Sequence, residues 1–181
     1  MRNLIFCLFL IGGMSIGHSQ IVLKEAKVDY NRASMQVDPV TKSVQLEIPE
    51  TYVGEFQEDP LSFIQENFSI QQLVEANRKF KFDSYDVYFT SRKGKVLAKF
   101  DKNGELISSY HRFKNVELPE DVKMQILQNY KNSKVVNNRH ILSTRNLLID
   151  KEFYKVKIQD GNKTKRLRIE RNTQGYSLVG L

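Results

Sequence analysis

Cysteine is nearly missing from this chain: Cys7 is the only one in 181 residues, and histidine occurs three times. A disulfide framework is therefore excluded, and so is a cysteine-based zinc site. His111 and His140 stand far apart, and neither has a second His, Cys or carboxylate at ligand spacing. No glycine-rich phosphate loop occurs, and no Gly-x-Ser-x-Gly turn that would expose a hydrolase serine. After residue 19 no apolar run approaches the length of about 20 residues that a spanning helix needs. These absences point away from catalysis: no catalytic residue, metal or cofactor is expected.

What is present begins with MRNLIFCLFLIGGMSIGHSQ. Arg2 supplies a positive start, Leu4 to Ile11 an unbroken apolar run, and Gly17 and Ser19 the small residues before a cut at Gln20. That is the order of a secretory signal peptide over residues 1–19. Cys7 lies inside the apolar run rather than after it, so lipid attachment is not expected. Cleavage would leave 162 residues outside the cytoplasm, without cysteine, held by a hydrophobic core. A periplasmic or secreted location follows, with no membrane span after cleavage.

Charge is unevenly placed. Residues 20–118 carry 14 Lys+Arg against 15 Asp+Glu, whereas residues 119–181 carry 13 against 6. The basic character belongs to the C-terminal third. For an exported chain this favours an anionic envelope component or an acidic protein, and not nucleic acid.

Val44, Leu46 and Ile48 alternate with polar residues as in a half-buried strand, which Pro49 ends. Asp59-Pro60 is a helix start, with Asp as N-cap and Pro at the first helical position. Leu61, Ile64, Phe68, Ile70 and Val74 continue its apolar side. Tyr85, Val87 and Phe89 then alternate as a strand. Turns follow at Arg92-Lys93-Gly94 and at Asp101-Lys102-Asn103-Gly104, and Leu106 to Phe113 reads as a further strand. The Asp101 turn resembles the start of a calcium loop, but position twelve would be Arg112. Leu118-Pro119 opens a second helix with Val122, Ile126 and Tyr130 on one stripe. Tyr154-Val156-Ile158 and Leu167-Ile169 alternate after it, with turns at Asp160-Gly161 and Gln174-Gly175.

The second series repeats the first. Ile64, Asn67, Phe68, Leu73 and Val74 match Ile126, Asn129, Tyr130, Val135 and Val136 at one constant offset. Tyr85, Val87, Phe89 and Phe100 match Tyr154, Val156, Ile158 and Ile169 at another, with an insertion around 137–151. The expected fold is therefore α+β, with two repeated units, each a helix packed on an antiparallel β-meander. The units would span 59–113 and 114–181, preceded by a strand-containing segment at 20–58.

The stretches "YDVYFTSRKGKVLAKFDKNGELISS" and "FYKVKIQDGNKTKRLRIERNTQGYSLVG", each behind a helix, resemble PepSY-like secreted bacterial domains, which are similar to beta-lactamase inhibitor protein. The residues that carry the resemblance are Leu118-Pro119, Val122, Tyr130, Tyr154-Val156-Ile158, Ile169-Glu170 and Gly175. It covers roughly 59–181. It implies a secreted helix-on-sheet domain and, as one function, inhibition of a protease or other hydrolase through an exposed sheet face.

If Val156, Ile158, Leu167 and Ile169 face the core, Lys155, Lys157, Arg166 and Arg168 point the other way. Neighbouring strands would gather these four charges on one sheet face. Like charges opposite one another cost tenths of a kcal/mol to about 1 kcal/mol, so their clustering suggests a partner. Tyr88, with Asp86 and Lys99, marks the corresponding surface of the first unit. The functional expectation is a non-enzymatic exported protein that binds a protein or envelope component through this face.

Overall fold

The computed structural model describes Val28 and residues 35–179; the expected export signal at 1–19 lies outside the described residues. Eight strands form one sheet in strict chain order. The first, β1 (Ser43–Glu47), runs parallel to β2 (Ser84–Ser91). A parallel neighbour requires a crossover, and residues 48–83 supply it with three short helices: α1 (Val53–Glu58), α2 (Pro60–Asn67) and α3 (Ile70–Ala76). From β2 onward the sheet is an antiparallel meander. It continues through β3 (Gly94–Asp101), β4 (Leu106–Lys114), β5 (Lys134–Arg145), β6 (Leu148–Asp160), β7 (Lys163–Asn172) and β8 (Gly175–Val179). One further helix, α4 (Glu120–Asn129), interrupts it between β4 and β5.

This corrects the expectation of two repeated units. A single mixed sheet runs through both halves without a break, and the halves differ in their helices, three between β1 and β2 and one between β4 and β5. The matched residues have unlike roles. Leu73 and Val74 are helical in α3, whereas Val135 and Val136 lie in β5. The supposed insertion at 137–151 is most of β5 and the start of β6, the central hairpin that joins the halves. The single helix expected from Asp59 is also two helices. Asp59 caps α2 as expected, accepting from the Ser62 N–H at 3.1 Å. Phe68 then turns extended, and the Ser69 hydroxyl accepts from the Gln72 N–H to start α3.

Turn chemistry follows the sequence closely. Asp101 Oδ1 accepts from the Asn103 and Glu105 N–H groups, both at 2.8 Å, so this carboxylate is committed to its own turn. Gly104 supplies the positive φ of +87° there.

The four α-helices pack on the face to which the buried side chains of β1–β4 and β7 point; on β5 and β6 the alternation is broken, with Ile141 and Phe153 buried on the other face. Val44, Leu46, Val87, Phe89, Val96, Ala98 and Phe113 pack under α1–α3 around Phe56, Phe63 and Leu73. Tyr154, Val156, Ile158, Leu167 and Ile169 pack under α4 with Val122 and Ile126. Val116 touches both clusters. It is held by Asn138 of β5, whose Oδ1 accepts from the Val116 N–H at 3.0 Å and whose Nδ2 donates to the Val116 carbonyl at 2.9 Å.

A second buried asparagine fastens the segment before β1. Asn77 is fully buried; its Oδ1 accepts from the Val37 N–H at 2.9 Å, and its Nδ2 donates to the carbonyls of Met35 and Leu73 at 2.7 and 2.8 Å. Replacing it by Ala leaves buried backbone groups unpaired, so Asn77→Ala should lower unfolding stability by about 3 kcal/mol. Asn77→Asp keeps the acceptor but sets an oxygen against two carbonyls, and should be no better than Ala. Urea unfolding of both variants checks this; a near-wild-type Asn77→Asp would show that the donor side does not matter.

Candidate functional site: a basic sheet face

The face of the sheet away from the helices is where the four sequence-selected cations fall. Lys155 stands directly opposite Arg168, and Lys157 opposite Arg166, across β6 and β7. The register carries the row further. Arg139 of β5 opposes Lys155 on one side and Lys114 of β4 on the other. Lys114, Arg139, Lys155 and Arg168 thus form one line across four adjacent strands. Two residues along β4, Arg112 opposes Lys95 of β3. Adjacent strands lie about 4.8 Å apart, and alternate residues on one strand about 6.8 Å apart, so these side chains make a cationic lattice.

Anions are scarce within it. Arg168 pairs with Glu170. Lys95, Arg112, Lys114, Arg139, Lys155, Lys157 and Arg166 have no ion pair among the described residues. The lattice rests on an apolar floor: Ile141 and Phe153 are opposed across β5 and β6, and both are buried. The Arg168 guanidinium lies 3.9 Å from the Phe153 ring centroid, and Lys151 and Lys155 sit over the same ring at 5.7 and 5.9 Å. The cationic heads thus gather over the aromatic face, with Arg168 the nearest. Two depressions open on this face. One of about 300 Å³ is walled by Lys95, Arg112, Lys114 and Arg139, the other of about 460 Å³ by Arg139, Lys155, Lys157 and Arg166.

No family model, curated protein or solved structure matches this chain. The site therefore has to be read from its own chemistry.

Tyr88 shares the open face but stands apart from the cations. It opposes Leu97, which opposes Tyr110 and then Ser143, so its row is aromatic and apolar. Asp86 and Lys99 beside it form their own pair at 4.0 Å. Lys95, Arg112, Lys114 and Arg139 were not found from sequence. Arg112 and Lys114 alternate with His111 and Phe113, which was a readable signal. Arg139 lies within 137–151, where no alternation marks it, and only its pairing in space brings it into the row.

Besides Asn138, two further clusters of buried polar side chains lie on the helix-side face. Ser109 Oγ lies 2.7 Å from His111 Nε2 and 2.7 Å from Thr144 Oγ1. A serine beside a histidine has the geometry of a nucleophile and its base, but Ser109 and His111 are 4 % and 2 % exposed. Burial, reinforced by nearby His140 and opposed by Asp59, lowers the His111 pKa to about 4, making it a poor base near neutrality. The second group centres on Glu152. Its Oε1 accepts from His140 Nε2 at 3.0 Å and from the Tyr176 hydroxyl at 2.8 Å, and its Oε2 from Arg171 at 2.9 Å. Burial would raise this carboxyl, but the hydrogen bonds from His140, Tyr176 and Arg171 outweigh it and hold the pKa at about 2. Burial pushes the Tyr154 phenol up to about 12, and Tyr176 also upward. This arrangement ties β5, β6, β7 and β8 together, and neither Glu152 nor the two phenols are poised to exchange protons at neutral pH.

These shifts set the acid response. His111 has a folded pKa below its ordinary 6.5, so the unfolded chain binds its proton first as pH falls. Its contribution of about 3 kcal/mol is full above pH 6.5 and is lost between 6.5 and 4. Glu152 is also depressed, so its contribution is full above about 4.5 and is lost toward 2. Thermal melts from neutral to acid pH should show both phases, and His111→Gln should abolish the first while leaving the second. An unchanged slope between pH 6.5 and 4 in that variant would remove His111 from the account.

Proposed function

We propose that this is an exported, non-enzymatic binding protein whose basic sheet face on β3–β7 engages an anionic component of the cell envelope. The observation that carries this is the set of like-charged pairs placed directly across neighbouring strands. Lys95 opposes Arg112, Lys114 opposes Arg139, Arg139 opposes Lys155, Lys155 opposes Arg168, and Lys157 opposes Arg166. Each arrangement destabilises a sheet by tenths of a kcal/mol to about 1 kcal/mol. A bound anion converts that repulsion into binding energy.

Three further points support the reading. The signal-like residues 1–19 direct the chain outward. No described helix is long and apolar enough to cross a membrane. The Ser109–His111 contact is buried, and the carboxylate of Glu152 accepts from three donors. The cations also extend over five strands, β3 to β7, as suits a polyvalent ligand more than a small substrate.

The test separates this face from net charge. Lys155→Gln, Lys157→Gln, Arg166→Gln and Arg168→Gln combined should weaken retention on immobilised polyanions at physiological salt by at least tenfold. A matched variant with four exposed cations changed elsewhere, Lys42, Lys79, Lys81 and Lys102 to Gln, should bind as wild type. Equal loss in both variants would show that binding follows net charge and has no address on the sheet. Mass spectrometry of the mature protein should find Gln20 as its first residue.

A further inference from the structure

The cations are not scattered over the open face but run as a track across the strands. The two depressions share one wall, Arg139. One leads from Arg139 to Lys95 on β3, the other to Arg166 on β7. A path from β3 to β7 crosses four strand spacings, about 19 Å at 4.8 Å each. Every strand on the path contributes at least one cation, so a ligand lying along it would meet a positive charge at each step.

We propose that the ligand is a linear acidic glycan lying across the strands along this track, with Arg139 at its midpoint; this rests on the assignment of the basic face as the binding surface. The choice among anions comes from the surface itself. A strand spacing of about 4.8 Å is close to the length of one pyranose unit in an extended chain, so a charge on each sugar would meet each strand in turn. Asn137, exposed in the second depression and with no side-chain hydrogen bond among the described residues, offers a donor and an acceptor to sugar hydroxyls. Single-stranded nucleic acid needs exposed aromatic platforms for its bases. The ring beneath the track, Phe153, is buried under Arg168, and the exposed Tyr110 stands off the track, two residues along β4 from Arg112. An acidic peptide would gain main-chain bonds only at a sheet edge, and the track crosses β4–β6, where both sides of each strand are already paired.

Titration calorimetry with sulfated glycosaminoglycan oligosaccharides tests both the class and the length. Affinity should rise steeply from di- to tetrasaccharide and then level off at the hexasaccharide, as the track fills. Arg139→Glu should weaken the hexasaccharide at least tenfold while changing the already weak disaccharide little, because it cuts the track in two. Circular dichroism of that variant, and the milder Arg139→Gln, guard against a folding defect; Arg139→Gln should show the same ordering with a smaller loss. Equal affinity for di- and hexasaccharide, or indifference to both Arg139 variants, would overturn the track. So would tighter binding to anionic phospholipid vesicles or to polyglutamate than to the hexasaccharide, which would leave the basic face standing with a different ligand. Failure of every polyanion to bind would sink the basic-face reading itself.

Discussion

Everything distinctive about this molecule depends on the register of β5 between β4 and β6. Strand side chains alternate with a period of two, so a slip by one residue sends a whole strand to the opposite face. In the observed register Arg139 joins Lys114 and Lys155 on the open side, while Asn138, His140 and Thr144 point to the helix side. A one-residue slip would turn Arg139 inward toward Val116 and Tyr154, would swing His140 out of its stack on Tyr154, and would break the basic row at its centre. The same pairing makes one sheet of two halves, since β5 is the bridge between the core under α1–α3 and the core under α4.

Apolar alternation does not fix that register. Val135 and Val136 of β5 are exposed, Leu142 is half-buried on the helix side, and Ile141 is buried on the open side. By hydrophobicity alone the strand could present either face inward. Polar contacts decide instead. Asn138 clamps both backbone groups of Val116, His140 donates to Glu152 and stacks on Tyr154 with ring centroids 4.5 Å apart, and Thr144 meets Ser109. All three act from the same side of β5. Each is satisfied only in this register, and a buried polar group left unsatisfied costs about 1–3 kcal/mol.

That explains which parts of the molecule were legible in the sequence. Where apolar residues alternate cleanly, as in Val44-Leu46, Tyr85-Val87-Phe89, Tyr154-Val156-Ile158 and Leu167-Ile169, strands and their inward faces could be read directly. Caps and turns built from Asp59-Pro60, Asp101 and Gly161 were legible because their chemistry is local. The apparent repeat has the same origin. Two series of helix-then-alternation look alike when β5, which lacks a clean pattern, is set aside as an insertion. The outward direction of Lys155, Lys157, Arg166 and Arg168 followed from alternation alone. The rest of the lattice did not, because Arg112, Lys114 and Arg139 come into line only when β4, β5 and β6 are laid side by side.

The two faces of the central strands then have linked roles. A like-charged row weakens the pairing of the strands that carry it, and that weakening falls on β4–β7. The opposite face of the same strands holds the buried clamps around Asn138, His140, Thr144 and Glu152. An apolar replacement for a buried charged cluster can be as stable or more so, so stability alone does not call for Glu152. Register does. An all-apolar helix side would leave β5 free to exchange its faces, and repulsion in the basic row would favour that exchange. Geometry-demanding hydrogen bonds on the helix side of β5 hold the row in place against that repulsion.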